Sequence, residues 1–405
     1  MLRSAGLIVL LVAVAASAED SDFEFGGHTK LRLTGQGFPS DSLYRDLAGS
    51  ETLELAGELR LNLEWDRGPW SFDANYQLVG LHSDYRLAAL PNDDRRLFNL
   101  TDVIDDSDET AFLHRLDRLW VGYASEKTVV RFGRQALSWG NGLIYTPMDL
   151  VNPFDPTSID TEYKPGDDML YGQYLRDNGD DLQAAIVFRR DPQSGDLESD
   201  QVTTAIKYHG FAGEAEYDLL IAHSYDDTVV GVGGGRSIGG AVWRGDVVVT
   251  DTDSDTYVQV VTNLTYSWIA FDRNMSGTVE YFFNGFGQQD ERYDPASLAA
   301  NPDLASRVAR GELYALGRHY LAGSILIEMS PLWVLTPTLL GNVSDPSALF
   351  QLVTSYSLSD NMTVLGSLNL PLGGNGSEFG GTESGVPDRY LSARAGIFAQ
   401  IAWYF

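Results

Sequence analysis

Apolar and polar residues alternate along this chain over stretches of ten residues or more. Between Leu53 and Trp65 the odd-numbered positions carry leucine, glycine and tryptophan, while the even-numbered positions carry mostly glutamate, arginine and asparagine. The same pattern returns at 258–268, 350–358 and 391–405. A period of two predicts a β-strand with one apolar and one polar face. Strands that cross a bilayer need about 9–11 residues, whereas strands of soluble sandwiches usually have about 5–6. The length of these segments, with aromatic residues at their ends, favours membrane-spanning strands.

The connections between these segments alternate between tight turns and long polar stretches. Turn-type clusters occur near 66–69, 125–127, 177–180, 239–240, 272–273, 330–331 and 360–361. Long stretches lie near 35–50, 82–111, 140–166, 285–318 and 371–389, with shorter ones near 191–200, 225–227, 251–255 and 342–347. Short periplasmic turns and long outside loops are typical of bacterial barrels. We therefore predict an all-β, transmembrane, antiparallel up-and-down β-barrel of about 18 strands. Both termini would lie on the periplasmic side, and one missed or invented hairpin would change the count to sixteen or twenty.

The first residues have the pattern of an export signal. Arg3 precedes an apolar stretch at 5–16, and Ala16-Ser17-Ala18 is a small-x-small cleavage site. This stretch is too short for a spanning helix and is typical of a secretory signal peptide. We expect residues 1–18 to be the signal peptide and residues 19–405 to form a single transmembrane β-barrel domain. The chain has no cysteine, which suits an oxidising periplasm and argues against a lipoprotein anchor.

Charge and composition narrow the function classes. The chain has 57 acidic and 28 basic residues, a net charge of −29, which argues against binding to nucleic acid. After the signal, no run of about 18 apolar residues is free of charge and proline, so a helical membrane protein is not expected. The six histidines form no close metal-binding pair and lie beside no G-x-S-x-G motif. We therefore predict no enzyme activity, no catalytic residue and no metal ligand. A large soluble all-β protein is the remaining alternative.

The chain end carries a family resemblance. Phe405 ends the amphipathic segment 391–405, and this arrangement resembles the C-terminal signature of bacterial outer-membrane proteins. The resemblance implies a location in the bacterial outer membrane. It also implies recognition by the barrel-assembly machinery during biogenesis, and contact with outer-membrane lipid and lipopolysaccharide.

A second, shorter resemblance lies between the fifth and sixth predicted strands. Its residues are Gly133-Arg134-Gln135, Trp139-Gly140, Asp149 and Asn152-Pro153-Phe154-Asp155. This pattern is similar to one in Gram-negative porin-like channels, including uncharacterised gammaproteobacterial barrel families and alginate-export-like barrels. The resemblance implies a porin-like or exporter role and supplies no substrate.

The Gly133–Asp167 region would be the third outside loop. In general porins, which this architecture resembles, that loop folds into the barrel and narrows the channel. Its segment 144–156 is apolar for an exposed loop and contains three prolines, which burial against the inner wall would explain. We predict a constriction loop that includes the following residues: Trp139, Tyr145, Asp149, Asn152 and Asp155. The alternative is a loop that caps the barrel mouth or packs on a neighbouring subunit.

Charged residues at inward positions are the candidate pore lining. Strand parity places cations on three adjacent strands: Lys30 and Arg32, Arg60, and Arg394. Arg131 and Arg134 have opposite parity, so at least one should face the lumen. Across the barrel, parity turns acids of the ninth strand inward: Glu214, Glu216 and Asp218. A basic wall facing an acidic wall would set a transverse field; the alternative is local pairing with wall acids such as Glu54, Glu58 and Asp73.

These observations predict an outer-membrane channel for passive or facilitated diffusion of small hydrophilic solutes through a charged, loop-constricted pore. Two alternatives stay open: an export channel for an anionic polysaccharide, and a plugged barrel with a structural or adhesive role. No cofactor is expected, although acidic outside loops such as 251–255 could bind Ca²⁺. The oligomeric state is left open.

Overall fold

The computed structural model describes residues 22–87 and 89–405, so the predicted signal peptide lies outside the described residues. Eighteen antiparallel strands form one closed barrel, as the alternation predicts. Their bounds are β1 Phe23–Gly37, β2 Glu51–Arg67, β3 Trp70–Ser83, β4 Thr110–Ala124, β5 Thr128–Gln135, β6 Asp167–Leu175, β7 Asp181–Val187, β8 Thr203–Ala212, β9 Ala215–Ser224, β10 Asp227–Ile238, β11 Ala241–Asp251, β12 Thr256–Ala270, β13 Arg273–Asn284, β14 His319–Ser330, β15 Trp333–Asn342, β16 Ser347–Ser359, β17 Met362–Leu372 and β18 Gly396–Tyr404.

The barrel closes where β1 pairs with β18. This pairing runs from His28 opposite Tyr404 to Gln36 opposite Gly396. Phe405 extends the seam, because its backbone N–H and C=O each form a 3.0 Å hydrogen bond with Gly27. A Cβ atom on Gly27 would lie 2.1 Å from the backbone oxygen of Arg60, so only glycine fits at this point of the seam. Closure pairs each of these eighteen strands on both sides, and a short additional strand in an outside loop, Thr101–Asp106, pairs among the described residues with β4 alone.

Tight turns and long loops lie at opposite ends of the barrel. Eight short connections, from residues 68–69 to residues 360–361, lie at the same end as both described termini. Long loops occupy the other end, and the longest are 84–109, 136–166, 285–318 and 373–395. The outside loops carry three short helices: α1 Leu43–Ala48, α2 Pro295–Ala299 and α3 Pro302–Arg310. No helix among the described residues is long and apolar enough to cross a membrane.

The outside of the barrel is apolar. On β9, Leu219 and Ile221 are 47% and 57% exposed, whereas the intervening Leu220 and the neighbouring Asp218 are buried inside. The same alternation places Val230 and Val232 outside on β10, and Ile397 and Ile401 outside on β18. An exposed apolar band around the barrel fits the hydrocarbon region of a bilayer. The closed sheet also suits a bilayer, because its backbone groups pair between neighbouring strands.

Candidate functional site

The loop between β5 and β6, residues 136–166, enters the barrel. We call it the inner loop. Its side chains and backbone hydrogen bond to the inward faces of strands all around the barrel. Its wall partners include Lys30 of β1, Gln183 of β7, Asp218 of β9, Asp246 of β11, Glu280 of β13 and Gln351 of β16. The inner loop therefore lies within the lumen and does not cap the mouth.

On the β9–β13 side, wall carboxylates hold the backbone of the inner loop. Both oxygens of Glu280 accept hydrogen bonds from three successive backbone amides, those of Leu143, Ile144 and Tyr145, at 2.7–3.0 Å. Asp246 accepts from the backbone and side-chain nitrogens of Asn141, each at 2.7 Å. Glu280 and Asp246 are buried, so these bonds replace the water that the carboxylates lose.

Apolar side chains of the inner loop pack against the same wall. The Tyr145 ring stacks on Phe282 of β13 at 4.8 Å and lies 5.2 Å from Tyr320 of β14. Met148 is fully buried in a cluster that also contains Trp139. The indole of Trp139 donates a 2.7 Å hydrogen bond to Gln183. This packing explains why the loop sequence is unusually apolar.

The remaining predicted constriction residues fix the shape of the loop. Asp149 forms a buried ion pair with Lys164 at 2.5 Å, which joins the two arms of the loop. Burial raises the pKa of Asp149 to about 6, although Lys164 opposes the shift. Asn152 takes a left-handed backbone conformation with φ of 49°. Asp155 accepts from the backbone N–H and hydroxyl of Thr157. These side chains shape the inner loop from within.

On the β1–β2 side, acids of the inner loop hold wall cations. Lys30, whose side chain is only 3% exposed, lies 2.7 Å from Asp160 and 2.8 Å from Glu162. Burial alone would raise the pKa of Asp160, but the hydrogen bond and charge of Lys30 outweigh it and lower the pKa. Tyr163 of the loop lies under the guanidinium of Arg60, 4.0 Å from its ring centroid. The loop therefore meets this wall through side chains.

Between the inner loop and the β1–β4 wall lies a cavity of about 280 Å³, which we call the charged cavity. Its charged lining residues are Lys30, Arg32, Glu58, Arg60, Arg115, Asp117 and Asp160. Most of the cations have carboxylate partners: Arg60 pairs with Asp117 at 2.8 Å, and Arg32 pairs with Glu58 at 3.1 Å. Arg115 donates to Gln77 instead.

Solved structures with the same architecture are outer-membrane porins. Pseudomonas aeruginosa OccK5 (OpdH) aligns with a TM-score of 0.55 and 12% identity, covering 95% of this chain and 98% of that one. Acinetobacter baumannii OccAB4 aligns with a TM-score of 0.54 and 8% identity, covering 96% and 99%. This chain has the fold of a Gram-negative outer-membrane porin. A BenF-like porin from Pseudomonas fluorescens Pf-5 aligns with a TM-score of 0.51 and 10% identity, covering 95% of this chain and 98% of that one. No family model and no curated protein matches the sequence.

The porin fold and the apolar outer face support a location in the bacterial outer membrane. Identities of 8–12% extend the likeness to the fold and no further. The chemistry of this barrel must therefore come from its own lining residues.

Three residues that were predicted to line the pore do not lie on the lumen wall: Arg134, Arg394 and Glu214. Arg134 shares the outward parity of Val130 and Phe132, and it is buried in ion pairs with Asp93 and Asp168 under the 84–109 loop. Its partner in the parity argument, Arg131, is on the inward face, 4.8 Å from the Trp120 ring centroid. The outward alternation continues to the end of β5, which explains why the prediction for Arg134 was wrong.

Arg394 and Glu214 also lie away from the lumen wall on which they were predicted, because each lies beyond the end of its strand. Arg394 is exposed and precedes the first residue of β18, Gly396. Glu214 is exposed in the two-residue turn before β9. The apolar–polar alternation in the sequence therefore continues beyond the ends of the strands, where it no longer determines which way a side chain faces.

The predicted acids of β9 lie beside local basic side chains. Asp218 is buried and lies 2.8 Å from Lys207 and 2.9 Å from His209. Glu216 lies 4.0 Å from Arg244. With Lys30, Arg32 and Arg60 paired as well, the structure agrees with local neutralisation of the wall charges.

Sequence reasoning missed several residues that position the inner loop. Glu280 and Asp246 could have been found, because strand parity alone turns both inward, opposite exposed neighbours such as Val279 and Val247. Asp160 and Glu162 gave no such signal, since they lie in a loop without periodicity. Asp117 was hidden by a register shift, where the pairing of β3 with β4 changes between Asn75 and Tyr76.

The 285–318 loop lies at the mouth, above β10–β12. Arg307 of α3 forms an ion pair with Asp227, and Asp303 accepts hydrogen bonds from Ser254 and Tyr257. Leu304 anchors the helix in the same apolar cluster as Tyr145.

Within residues 22–87 and 89–405, no three acidic or histidine side chains are grouped to hold a metal ion. At the 251–255 loop, Asp251 accepts a hydrogen bond from the hydroxyl of Thr256, and Asp255 accepts one from the backbone N–H of Thr256.

Proposed function

We propose that this protein is an outer-membrane channel through which small hydrophilic solutes diffuse, with the inner loop as its constriction. The observation that carries the proposal is the path of residues 136–166, which cross the lumen and bond to both sides of the barrel wall. A loop held in this way reduces the open cross-section and leaves a polar lining, which is how a barrel channel selects solutes.

The charged cavity is the proposed pathway beside the loop. Its lining combines guanidinium groups with carboxylates in close pairs, so the local charges are largely balanced. Such a surface can exchange hydrogen bonds with a polar solute and replace the water that the solute leaves behind. We therefore expect transport of hydrated, polar molecules and exclusion of apolar ones.

The test is conductance of the refolded protein in planar bilayers, combined with chemical labelling of the inner loop. The natural chain has no cysteine, so a single Thr161→Cys variant gives one reactive thiol on an exposed loop position. Modification with a charged methanethiosulfonate reagent adds bulk at the proposed constriction. We expect an open channel before labelling and a fall in conductance of about half or more after it.

The matched control is Asp253→Cys, which places the thiol on an exposed tip of an outside loop. Labelling there should leave conductance unchanged. Equal responses of the two variants, or none at Thr161→Cys, would contradict the constriction role. Correctly folded protein that conducts no ions would contradict the channel itself and favour the plugged barrel.

An export channel for an anionic polysaccharide is the second candidate. The observation in its favour is the group of guanidinium side chains along the charged cavity, Arg32, Arg60 and Arg115. Uronate oligomers would then block the ionic current from one side of the bilayer, while a neutral oligosaccharide of the same length would not. Absence of such a block leaves the small-solute channel as the function.

A further inference from the structure

The wall from β12 to β17 differs in chemistry from the wall of the charged cavity. At directly paired positions, neighbouring strands β12 to β17 each present a neutral polar side chain to the lumen. In order of pairing these are Thr265, Thr278, Ser324, Thr338, Gln351 and Asn369. Direct cross-strand pairing puts these residues side by side, so they form one continuous band. We call it the neutral row.

The neutral row faces a cavity of about 420 Å³ between the inner loop and β14–β16, which we call the neutral cavity. From the wall it is lined by hydroxyls of Ser324 and Thr338 and by the amide of Gln351. The inner loop adds hydroxyl side chains from the other side: Ser138, Thr146, Ser158 and Thr161. Pockets of about 300–1,000 Å³ are the size that holds small-molecule ligands.

The neutral cavity offers little net charge to a ligand. No lysine or arginine is among the described residues that line it. Of its two carboxylates, Asp149 pairs with Lys164, whereas Asp155 accepts hydrogen bonds from the uncharged N–H and hydroxyl groups of Thr157. An anionic solute would lose hydration there without gaining a counter-ion, whereas a neutral solute would not bear this cost.

The lining combines hydroxyls with apolar surface. Leu340 and Val353 contribute aliphatic faces from the wall, and Trp139 and Phe154 contribute aromatic faces from the loop. The hydroxyls of Ser324 and Thr338 lie 2.9 Å apart. A hydroxyl that donates one bond still offers acceptor sites, so this pair can bind a further hydroxyl group. A sugar ring presents the matching pattern of hydroxyl edges and apolar C–H faces.

We infer that the neutral cavity is a second solute site, one that binds uncharged polyhydroxylated molecules of the sugar or polyol class. The inference rests on the proposed channel function and adds a solute class to it. One barrel would then offer two chemically distinct environments beside the same inner loop.

The test is uptake of radiolabelled glucose into proteoliposomes as a function of glucose concentration, beside uptake of glucuronate. Thr338→Val keeps the side-chain volume and removes one hydroxyl of the pair, and Ser324→Ala removes the other. For glucose, we expect saturable uptake whose half-saturating concentration rises about 3- to 10-fold in each variant, as expected for one lost hydrogen bond. Glucuronate uptake and salt conductance should stay at the wild-type level.

Thr278→Val is the matched control, because Thr278 belongs to the neutral row and lies outside the cavity lining. It should leave glucose uptake unchanged. Non-saturable glucose uptake, or equal effects of Thr338→Val on glucose and glucuronate, would overturn the inference while normal salt conductance leaves the channel function intact. Loss of salt conductance in the folded wild-type protein would instead overturn the channel function.

Discussion

The inner loop is attached to its barrel by two different chemistries. At the β9–β13 wall the barrel supplies carboxylates, and the loop supplies backbone amides to Glu280 and Asp246. At the β1–β2 wall the barrel supplies Lys30, and the loop supplies the side chains of Asp160 and Glu162. Each attachment pairs donors with acceptors. The second depends entirely on side chains of the loop, whereas the first also uses backbone amides, which almost any loop sequence supplies.

This difference separates constraints on the wall from constraints on the loop. Every non-proline residue has a backbone N–H, so most loop sequences that reach Glu280 can bind it. The contact with Lys30 requires acids at defined positions of the loop. Substitutions in the loop should therefore loosen its β1–β2 end first, and substitutions in the wall should have their largest effect at Glu280.

The largest effect is expected from Glu280→Leu. This change leaves three amides of the inner loop, one buried and two partly buried, without their acceptor, at about 1 kcal/mol for each. We expect the free energy of unfolding to fall by about 3 kcal/mol and the single-channel current to become noisy as the loop moves. Thermal unfolding in detergent and bilayer recordings measure the two effects.

Glu280→Gln is the matched control, because its amide oxygen still accepts from some of the three amides. It should lie between the wild type and Glu280→Leu in both measurements. A stable, quiet channel in Glu280→Leu would show that the packing of Tyr145 and Met148 alone holds the loop.

A smaller effect is expected from Lys30→Met, which breaks the attachment at the other wall. Asp160 and Glu162 lose their cation, but Glu162 is 34% exposed and can be hydrated. The free energy of unfolding should therefore fall by about 1–2 kcal/mol, less than for Glu280→Leu. The lumen also gains net negative charge, so the reversal potential under a salt gradient should shift toward cation preference. An unchanged reversal potential would show that current does not pass Lys30.

The strands and their faces could be predicted from sequence, and the lumen contacts could not. A period of two placed Lys30 inside and Leu31 outside without any tertiary information, as the structure confirms. The contact of Lys30 with Asp160 joins residues 130 positions apart through a loop with no period. Only the folded path of that loop determines the pairing.

Two local features also limited the prediction. The register shift at Asn75 and Tyr76 changes the inward face of β4, which hid Asp117. At Arg134 the alternation is regular, but an outside loop covers the outer face and makes an outward arginine buried. The parity of a position predicts whether its side chain faces the lumen or the outside, but it does not predict which loop covers that face.

Glu378 is a third carboxylate that binds loop backbone, and its contribution to stability should depend on pH. It accepts from the backbone amide of Leu316 at 2.8 Å and from the side chains of Tyr320 and Asn342. Burial raises the pKa of Glu378 to about 7, above its ordinary value of 4.5. The protonated form is therefore favoured in the folded protein. Its contribution to stability should be complete below pH 4.5 and be lost as the pH rises through 7.

The measurement is the unfolding temperature of wild type and Glu378→Gln between pH 4.5 and 8. The wild type should lose stability relative to the variant as the pH rises through 7, because glutamine mimics the protonated acid at every pH. Parallel curves for the two proteins would show that another group causes any pH dependence of the wild type.

The smallest effect is expected from Lys127→Met, in the short turns at the end of the barrel opposite the long loops. Lys127 lies 2.6 Å from Asp177, almost the same distance as Lys30 from Asp160. The side chains of Lys127 and Asp177 are 44% and 86% exposed, so water already solvates both charges. Exposed ion pairs contribute about 0–1 kcal/mol, and we expect a change in unfolding free energy below about 0.5 kcal/mol. Thermal unfolding of Lys127→Met beside Lys30→Met compares two ion pairs of equal length that differ in burial. Equal losses in the two variants would contradict the claim that burial, and with it the inner loop, gives the Lys30 contact its strength.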